Sequence, residues 1–158
     1  MSGASLDFRH LTVLKDYGEK EHERWEREVF AYQNIPWATP TLDGFNPRWL
    51  EMERLVPLLD LPYDVSVKYR DPLRELLVAL HEEGWWHCDV ALCNVVIHPV
   101  RGPLLIDWKN LRERTSDVSY DLYGARLAGV TEGDNGVWWG GPWDMCPGPY
   151  FGDEGLKL

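Results

Sequence analysis

Three polar residues constrain this chain more than anything else in it: Asp89, Asn94 and Asp107, spaced five and then thirteen positions apart. The first two lie in His87-Cys88-Asp89-Val90-Ala91-Leu92-Cys93-Asn94, and the third in Ile106-Asp107-Trp108. Between Asn94 and Asp107 are two short apolar runs, residues 94–97 and 103–106, parted by a turn-forming stretch from His98 to Gly102. Runs of that length bounded by Pro and Gly predict a β-hairpin with a carboxamide at its entry and a carboxylate at its exit. Closing the hairpin brings Asn94 and Asp107 together, and an amide beside an acid forms an all-oxygen site for a hard cation such as Mg2+. Asp89, upstream in a loop, is then free to act as a base next to that metal. Taken singly, Asp89 and Asn94 also suit turns, and Asp107 suits a strand-end cap.

The ordered set H-x-D-x4-N, hairpin, I-D-W resembles the catalytic core of the protein-kinase-like superfamily. The I-D-W form is more similar to the aminoglycoside and choline phosphotransferase branch than to the D-F-G of most protein kinases. The resemblance implies Asp89 as catalytic base and Asn94 and Asp107 as Mg2+ ligands. It extends upstream through L-x-x-L-H-x-x-G-W-W-H-C-D, so its specific part covers residues 71–108. Cys88 stands where protein kinases carry an arginine, which argues against control by a phosphorylated activation loop. Ala91 stands where most Ser/Thr kinases carry a lysine, so neutralising the transferred phosphoryl group falls to Lys15, the metal or an unidentified arginine.

The expected fold is α+β, a minimal two-lobed kinase-like form. Residues 1–56 would be a reduced N-lobe and residues 57–158 a reduced C-lobe. In the N-lobe, residues 11–14 read as a short strand ending at Lys15, similar to the family's phosphate-contacting lysine strand. Residues 19–33 mix Trp25, Val29, Ala31 and Tyr32 with Glu and Arg, as a helix with one buried stripe does. Its glutamate would pair with Lys15. Glu28 is preferred and Glu26 is nearly as good, because one residue of register is open. Only fourteen residues precede Lys15, with Gly3 their sole glycine, so the family's glycine-rich phosphate lid cannot be placed. Fewer backbone donors around the phosphates would weaken nucleotide binding.

Residues 49–55 alternate apolar and polar, as a strand does. M-E-R-L resembles the strand and hinge that hold adenine, which implies Glu53 and Leu55 as nucleotide contacts; an edge strand without a ligand fits equally well. Residues 57–62 read as a linker. Residues 71–83 form the clearest helix, with Asp71 as N-cap, Pro72 at the first helical position, Leu73, Leu76, Leu77 and Leu80 on one face, and Gly84 as the stop. Residues 109–116 are polar and basic. The segment S-D-V-S-Y-D-L-Y-G resembles the one that follows I-D-W in the phosphotransferases. That implies Asp117 and Asp121 as braces of the catalytic loop and one helix over residues 120–130. The tail from Thr131 is rich in Trp, Gly and Pro. It reads as an aromatic wrap over the lower lobe or as a surface for a partner protein.

A net charge of −10 disfavours non-specific binding to nucleic acid or anionic membrane. No apolar run approaches the length of a membrane span. Three cysteines, an odd number, suggest no disulfide framework, so a cytoplasmic setting is expected. Zinc held by Cys88, Cys93, His98 and His87 would need an unrecognised spacing. His87 reads instead as a packed brace of the loop.

Three functions fit these features. The first is a compact phosphotransferase that uses ATP and Mg2+ and acts on a hydroxyl of a protein or small molecule. The second is a non-catalytic kinase-like module that works by binding a partner protein. The third is an ATPase with water as acceptor.

Overall fold

The computed structural model describes residues 4–90 and 92–113. The expectations for Asp117, Asp121, the helix over 120–130 and the aromatic tail lie outside the described residues.

The first layer is an antiparallel sheet of β1 (Ser5–Phe8), β2 (Thr12–Asp16), β3 (Leu42–Phe45) and β4 (Trp49–Glu53), in the order β1-β2-β4-β3. Lys15 lies inside β2 rather than after it, opposite Leu6 on one side and Leu50 on the other. Alternation puts Val13 and Lys15 on one face of the strand, which is why a charged residue can sit in mid-strand and still turn inward. Strand β4 alternates as expected, with Leu50 and Met52 buried and their neighbours partly exposed.

Helix α1 (His22–Asn34) links β2 to β3 and buries Glu28, Val29, Ala31 and Tyr32. It starts three residues later than predicted. Gly18 adopts φ +70 and its N–H donates to Asp16 Oδ1 at 2.8 Å, a local turn that takes the chain before the helix can begin.

The second layer is built on the predicted hairpin, β7 (Val95–His98) and β8 (Gly102–Leu105), paired from Val95↔Leu105 to His98↔Gly102. Gly102 has φ +78 in the turn, a conformation costly for residues with a Cβ. Both strands are almost wholly buried, which explains why they read as continuous apolar runs rather than alternating ones. Pro57, the first residue of the stretch predicted as a linker, belongs instead to a short strand, β5 (Val56–Pro57), which pairs with β7 and puts Pro57 on the sheet edge. A 3₁₀ turn at Leu58–Asp60 follows.

Helical turns then run from α2 (Tyr63–Ser66) through Val67–Tyr69 into α3 (Arg70–Glu82). Asp71 is therefore not an N-cap, because Arg70 before it is already helical at φ −58, ψ −53. Pro72 still falls in the first turn, where its missing N–H costs no hydrogen bond. Leu73, Leu77 and Leu80 are buried, and Gly84 ends the helix at φ +92 as expected. Beyond it β6 (Trp85–Trp86) pairs with β9 (Arg112–Glu113).

Buried side chains from α1, β4, α3, β7, β8 and Trp108 form one connected apolar cluster. Of the six described tryptophans, Trp86 and Trp108 are buried, Trp25, Trp49 and Trp85 are half-buried, and Trp37 is exposed. No helix among the described residues is long and apolar enough to cross a membrane.

Candidate active site

The centre of the site is an ion-pair chain that joins three elements. Lys15, on β2, reaches Glu28 Oε1 at 2.8 Å and Asp107 Oδ1 at 3.3 Å. Glu28 comes from α1 and is fully buried. Its Oε1 also accepts from Tyr17 Oη at 2.8 Å, and its Oε2 accepts from the backbone N–H of Trp108. A buried carboxylate is tolerable only when its lone pairs are filled in this way. The other register candidate, Glu26, has a side chain 69% exposed and faces His22, so Lys15 pairs with Glu28.

Burial alone would push the Lys15 ammonium down. The charges of Glu28 and Asp107 more than offset this, so it titrates above an ordinary lysine. Tyr17 and Tyr32 are pushed well up, chiefly by burial and then by the Glu28 charge, and both stay protonated.

Asp107 sits just past the end of β8. Ile106 N–H donates to Asn94 O at 2.9 Å, so the two predicted metal ligands are one step out of register on adjacent strand ends. Both line one cavity with Lys15 and Glu28. Asp107 has φ +63, a left-handed backbone that is uncommon for a residue with a Cβ. Its carboxyl is partly desolvated, but Lys15 and Lys109 hold it below the usual carboxylate range. Lys109 Nζ lies 2.6 Å from Oδ2, so each carboxylate oxygen carries an ammonium.

Asp89 lies in the loop before the hairpin and is half-buried. Asn94 Nδ2 donates to Asp89 O at 2.9 Å, which fixes the loop to the hairpin entry. Desolvation lifts the Asp89 carboxyl to about 6, and the nearby Asp107 charge adds to the rise. His87 is fully buried and edge-on to Trp108, with ring centroids 4.6 Å apart. Its Nε2 donates to Ile106 O at 2.9 Å, and its Nδ1 accepts from Asp89 N–H at 3.2 Å. These bonds match the brace expected of it. The loop's turn is made at Cys88, which is buried with φ +69.

The cavity above these groups has a volume of about 510 Å³, within the range of roughly 300–1,000 Å³ usual for small-molecule sites. Its polar end is Lys15, Glu28, Asn94 and Asp107, and its apolar roof is Ala4, Leu6, Phe8 and Val13. Strand β1 thus lies where a glycine-rich lid could not be placed in the sequence. Glu53 and Leu55 border the cavity as well. The Glu53 carboxylate is occupied: Oε1 accepts from Thr41 N–H at 2.7 Å and is 3.8 Å from Arg101. Its backbone N–H is engaged as well, donating to Thr41 O at 2.8 Å. Among the described residues no group of three or more His, Cys, Asp or Glu side chains is placed to hold a metal by itself. One carboxylate and one carboxamide are the donor set of an ion that takes its remaining ligands from water and phosphate.

Two neighbours of the centre were not singled out from the sequence. Tyr17 could have been found by alternation, since residues 13, 15 and 17 share one side of an extended chain. Lys109 follows Asp107 by two residues and was read only as part of a polar, basic stretch.

No protein-family model matches the chain, and no curated protein matches it. Solved structures do. It is similar to the bifunctional kinase-methyltransferase WbdD, at 21% identity and a TM-score of 0.57 over 81% of this chain and 34% of that one. A complex of WbdD with a kinase inhibitor gives 19% identity and a TM-score of 0.55 over 80% and 34%. Monomeric WbdD gives 18% identity and a TM-score of 0.56 over 94% and 43%. The chain spans only about a third to two-fifths of the length of these proteins. The likeness is one of fold: the chain has a minimal, two-lobed, protein-kinase-like α+β fold.

Proposed function

We propose that the chain is a kinase-like phosphotransferase that uses ATP and Mg2+ and acts on a hydroxyl group of a protein or small molecule. In this reading its site follows the design of the aminoglycoside and choline phosphotransferases. The single observation that carries it is Lys15 held between Glu28 and Asp107, 2.8 and 3.3 Å away, at the polar end of a cavity of nucleotide size.

The residues present suit the groups invoked. The apolar roof of Ala4, Leu6 and Phe8 offers a purine an apolar face, with Glu53 and Leu55 at the edge of the same cavity. Asn94 and Asp107 would hold Mg2+, and Lys15 would hold phosphate oxygens. When bound, ATP supplies the phosphoryl group and Mg2+ balances its charge. Glu28 keeps the Lys15 amine extended and charged. Asp89 orients the acceptor hydroxyl and takes its proton. A base with a pKa of about 6 is ionised at neutral pH yet still basic enough to accept a proton.

A second reading has one specific observation in its favour. Both oxygens of Asp107 are engaged by lysines, so a metal must share or displace them to bind. A module that works by binding a partner protein needs no such displacement.

A thermal melt with ATP and Mg2+ separates the two. The phosphotransferase reading expects stabilisation of about 2–3 kcal/mol near a hundredfold excess over Kd. It also expects ADP formation that is lost in Asp89→Asn while nucleotide binding is kept. No melting shift with nucleotide, metal or both would overturn it and leave the binding module. ADP released with every candidate acceptor omitted, and no phosphorylated protein, would point to water as acceptor.

A further inference from the structure

We propose that Lys109 is a second phosphate-binding cation of this site, parked on Asp107 until an anionic phosphate group replaces that carboxylate. The inference rests on the phosphotransferase reading and names a residue that reading does not use.

The two lysines on Asp107 are not equivalent. Lys15 has a second, fully buried counter-ion in Glu28. For Lys109, Asp107 is the only carboxylate within ion-pair distance among the described residues. A divalent cation binding to Asp107 would leave Lys15 neutralised and Lys109 unpaired. The Lys109 side chain is only 14% exposed, so water could not fully take over the role of a counter-ion. An anion arriving with the cation would restore the balance.

The placement suits that task. The backbone of Lys109 is fixed, because its carbonyl accepts from Arg27 Nε of α1 and Leu111 N–H donates to Trp108 O at 3.0 Å. The left-handed Asp107 turns the chain so that the amine two residues on comes back over the carboxylate. Of the two cations on the cavity wall itself, Lys15 and Arg54, the second is committed elsewhere. It donates to Arg9 O at 2.9 Å and stacks on Phe8. Ala91 supplies no charge from the loop. Lys109 also acts on Asp89, whose carboxyl it draws down against the effect of burial. It is therefore coupled to both the candidate base and the candidate metal ligand.

The test is calorimetric binding of ADP and of the non-hydrolysable imido analogue of ATP, each with Mg2+, to the full chain and its variants. Lys109→Met is expected to bind the triphosphate analogue about tenfold more weakly and ADP almost as well as the wild type. Lys109→Arg is expected to keep most of the affinity for both. Lys109→Gln, which keeps a hydrogen-bond donor to Asp107, serves if Lys109→Met does not fold, with the same expectation. Unchanged affinity for both nucleotides, equal losses for both, or tighter binding would mark Lys109 as no more than a counter-ion and overturn the assignment alone. Wild-type protein that binds neither nucleotide would overturn the phosphotransferase reading, and this inference with it.

Discussion

At the scale of single residues, protonation of Asp89 is what the surroundings control most directly. Burial lifts its carboxyl to about 6; the positive charge of a protonated His87 would oppose this and the negative Asp107 adds to it. The sign follows from linkage. A carboxyl whose pKa is raised by folding stabilises the folded state below its unfolded value, and that contribution is lost as pH rises through the folded value. Metal-free Asp89→Asn should therefore be more stable than the wild type above about pH 6, by roughly 1–2 kcal/mol after allowance for partial exposure. The gain should vanish below about pH 4. Urea melts at pH 4 and pH 7.5 measure it, and equal gains at both would show that burial of the charge is not the cause. Transfer activity should fall about tenfold per pH unit below the same point. The left-handed Cys88 and Asp107 bracket this chemistry. Both give up backbone comfort to aim a loop and a carboxylate, the kind of local strain that a well-packed surround can hold.

The element that matters most is α1. Two consecutive residues fasten it to the chain beyond the hairpin: Arg27 through Lys109 O, and Glu28 through Trp108 N–H. Glu28 also fastens it to β2 through Lys15 and Tyr17. The two ends of the ion pair are therefore unequal. Glu28→Ala leaves the Lys15 ammonium with Asp107 alone and strands a phenol and a backbone N–H in a closed interior, so it should destabilise by about 3–5 kcal/mol. Lys15→Met takes the counter-ion from the buried Glu28 but leaves it bonded to Tyr17 and Trp108, and Asp107 to Lys109, so it should cost somewhat less, about 2–3 kcal/mol. Both values come from chemical denaturation without ligand. A larger loss in Lys15→Met would mean that the lysine, not the glutamate, holds the helix in place. The hairpin has its own fastening. Arg101 at its turn donates to Pro36 O and Thr39 O and lies near Glu53, so it ties the strand beside the cavity to the layer below.

For the whole molecule, the continuous buried cluster is the main fact. Leu50 and Met52 of the sheet, Val29 and Tyr32 of α1, Leu73 of α3 and Leu105 of the hairpin belong to one connected set. A core shared across both layers predicts one cooperative unfolding transition rather than two. Tryptophan fluorescence and far-UV circular dichroism should give coincident denaturation curves, and separated midpoints would refute the shared core. The cluster also keeps the cavity walls in place, because α1, β4 and the hairpin all contribute to it.

Much of the site was legible because its signals are local. The spacing of Asp89, Asn94 and Asp107 around two apolar runs carried the hairpin, and the turn and stop residues carried Gly84 and Gly102. The family resemblance was enough to mark Glu28 and Lys15 as partners. It could not choose between Glu28 and Glu26, since both lie on a charged stretch and only packing shows which faces inward. Other features depended on contacts between distant segments. Pro57 reads as the start of a linker in the sequence, and only the pairing of Val56–Pro57 with β7 makes it part of a strand. Lys109 looked solvated until the left-handed Asp107 turned it back. The amino-acid order by itself determined which chemical groups the chain carries and which short segments bend or pair. Tertiary structure alone decided which charges meet, because ion pairs between β2, α1 and the segment after β8 exist only once a common core brings those elements together.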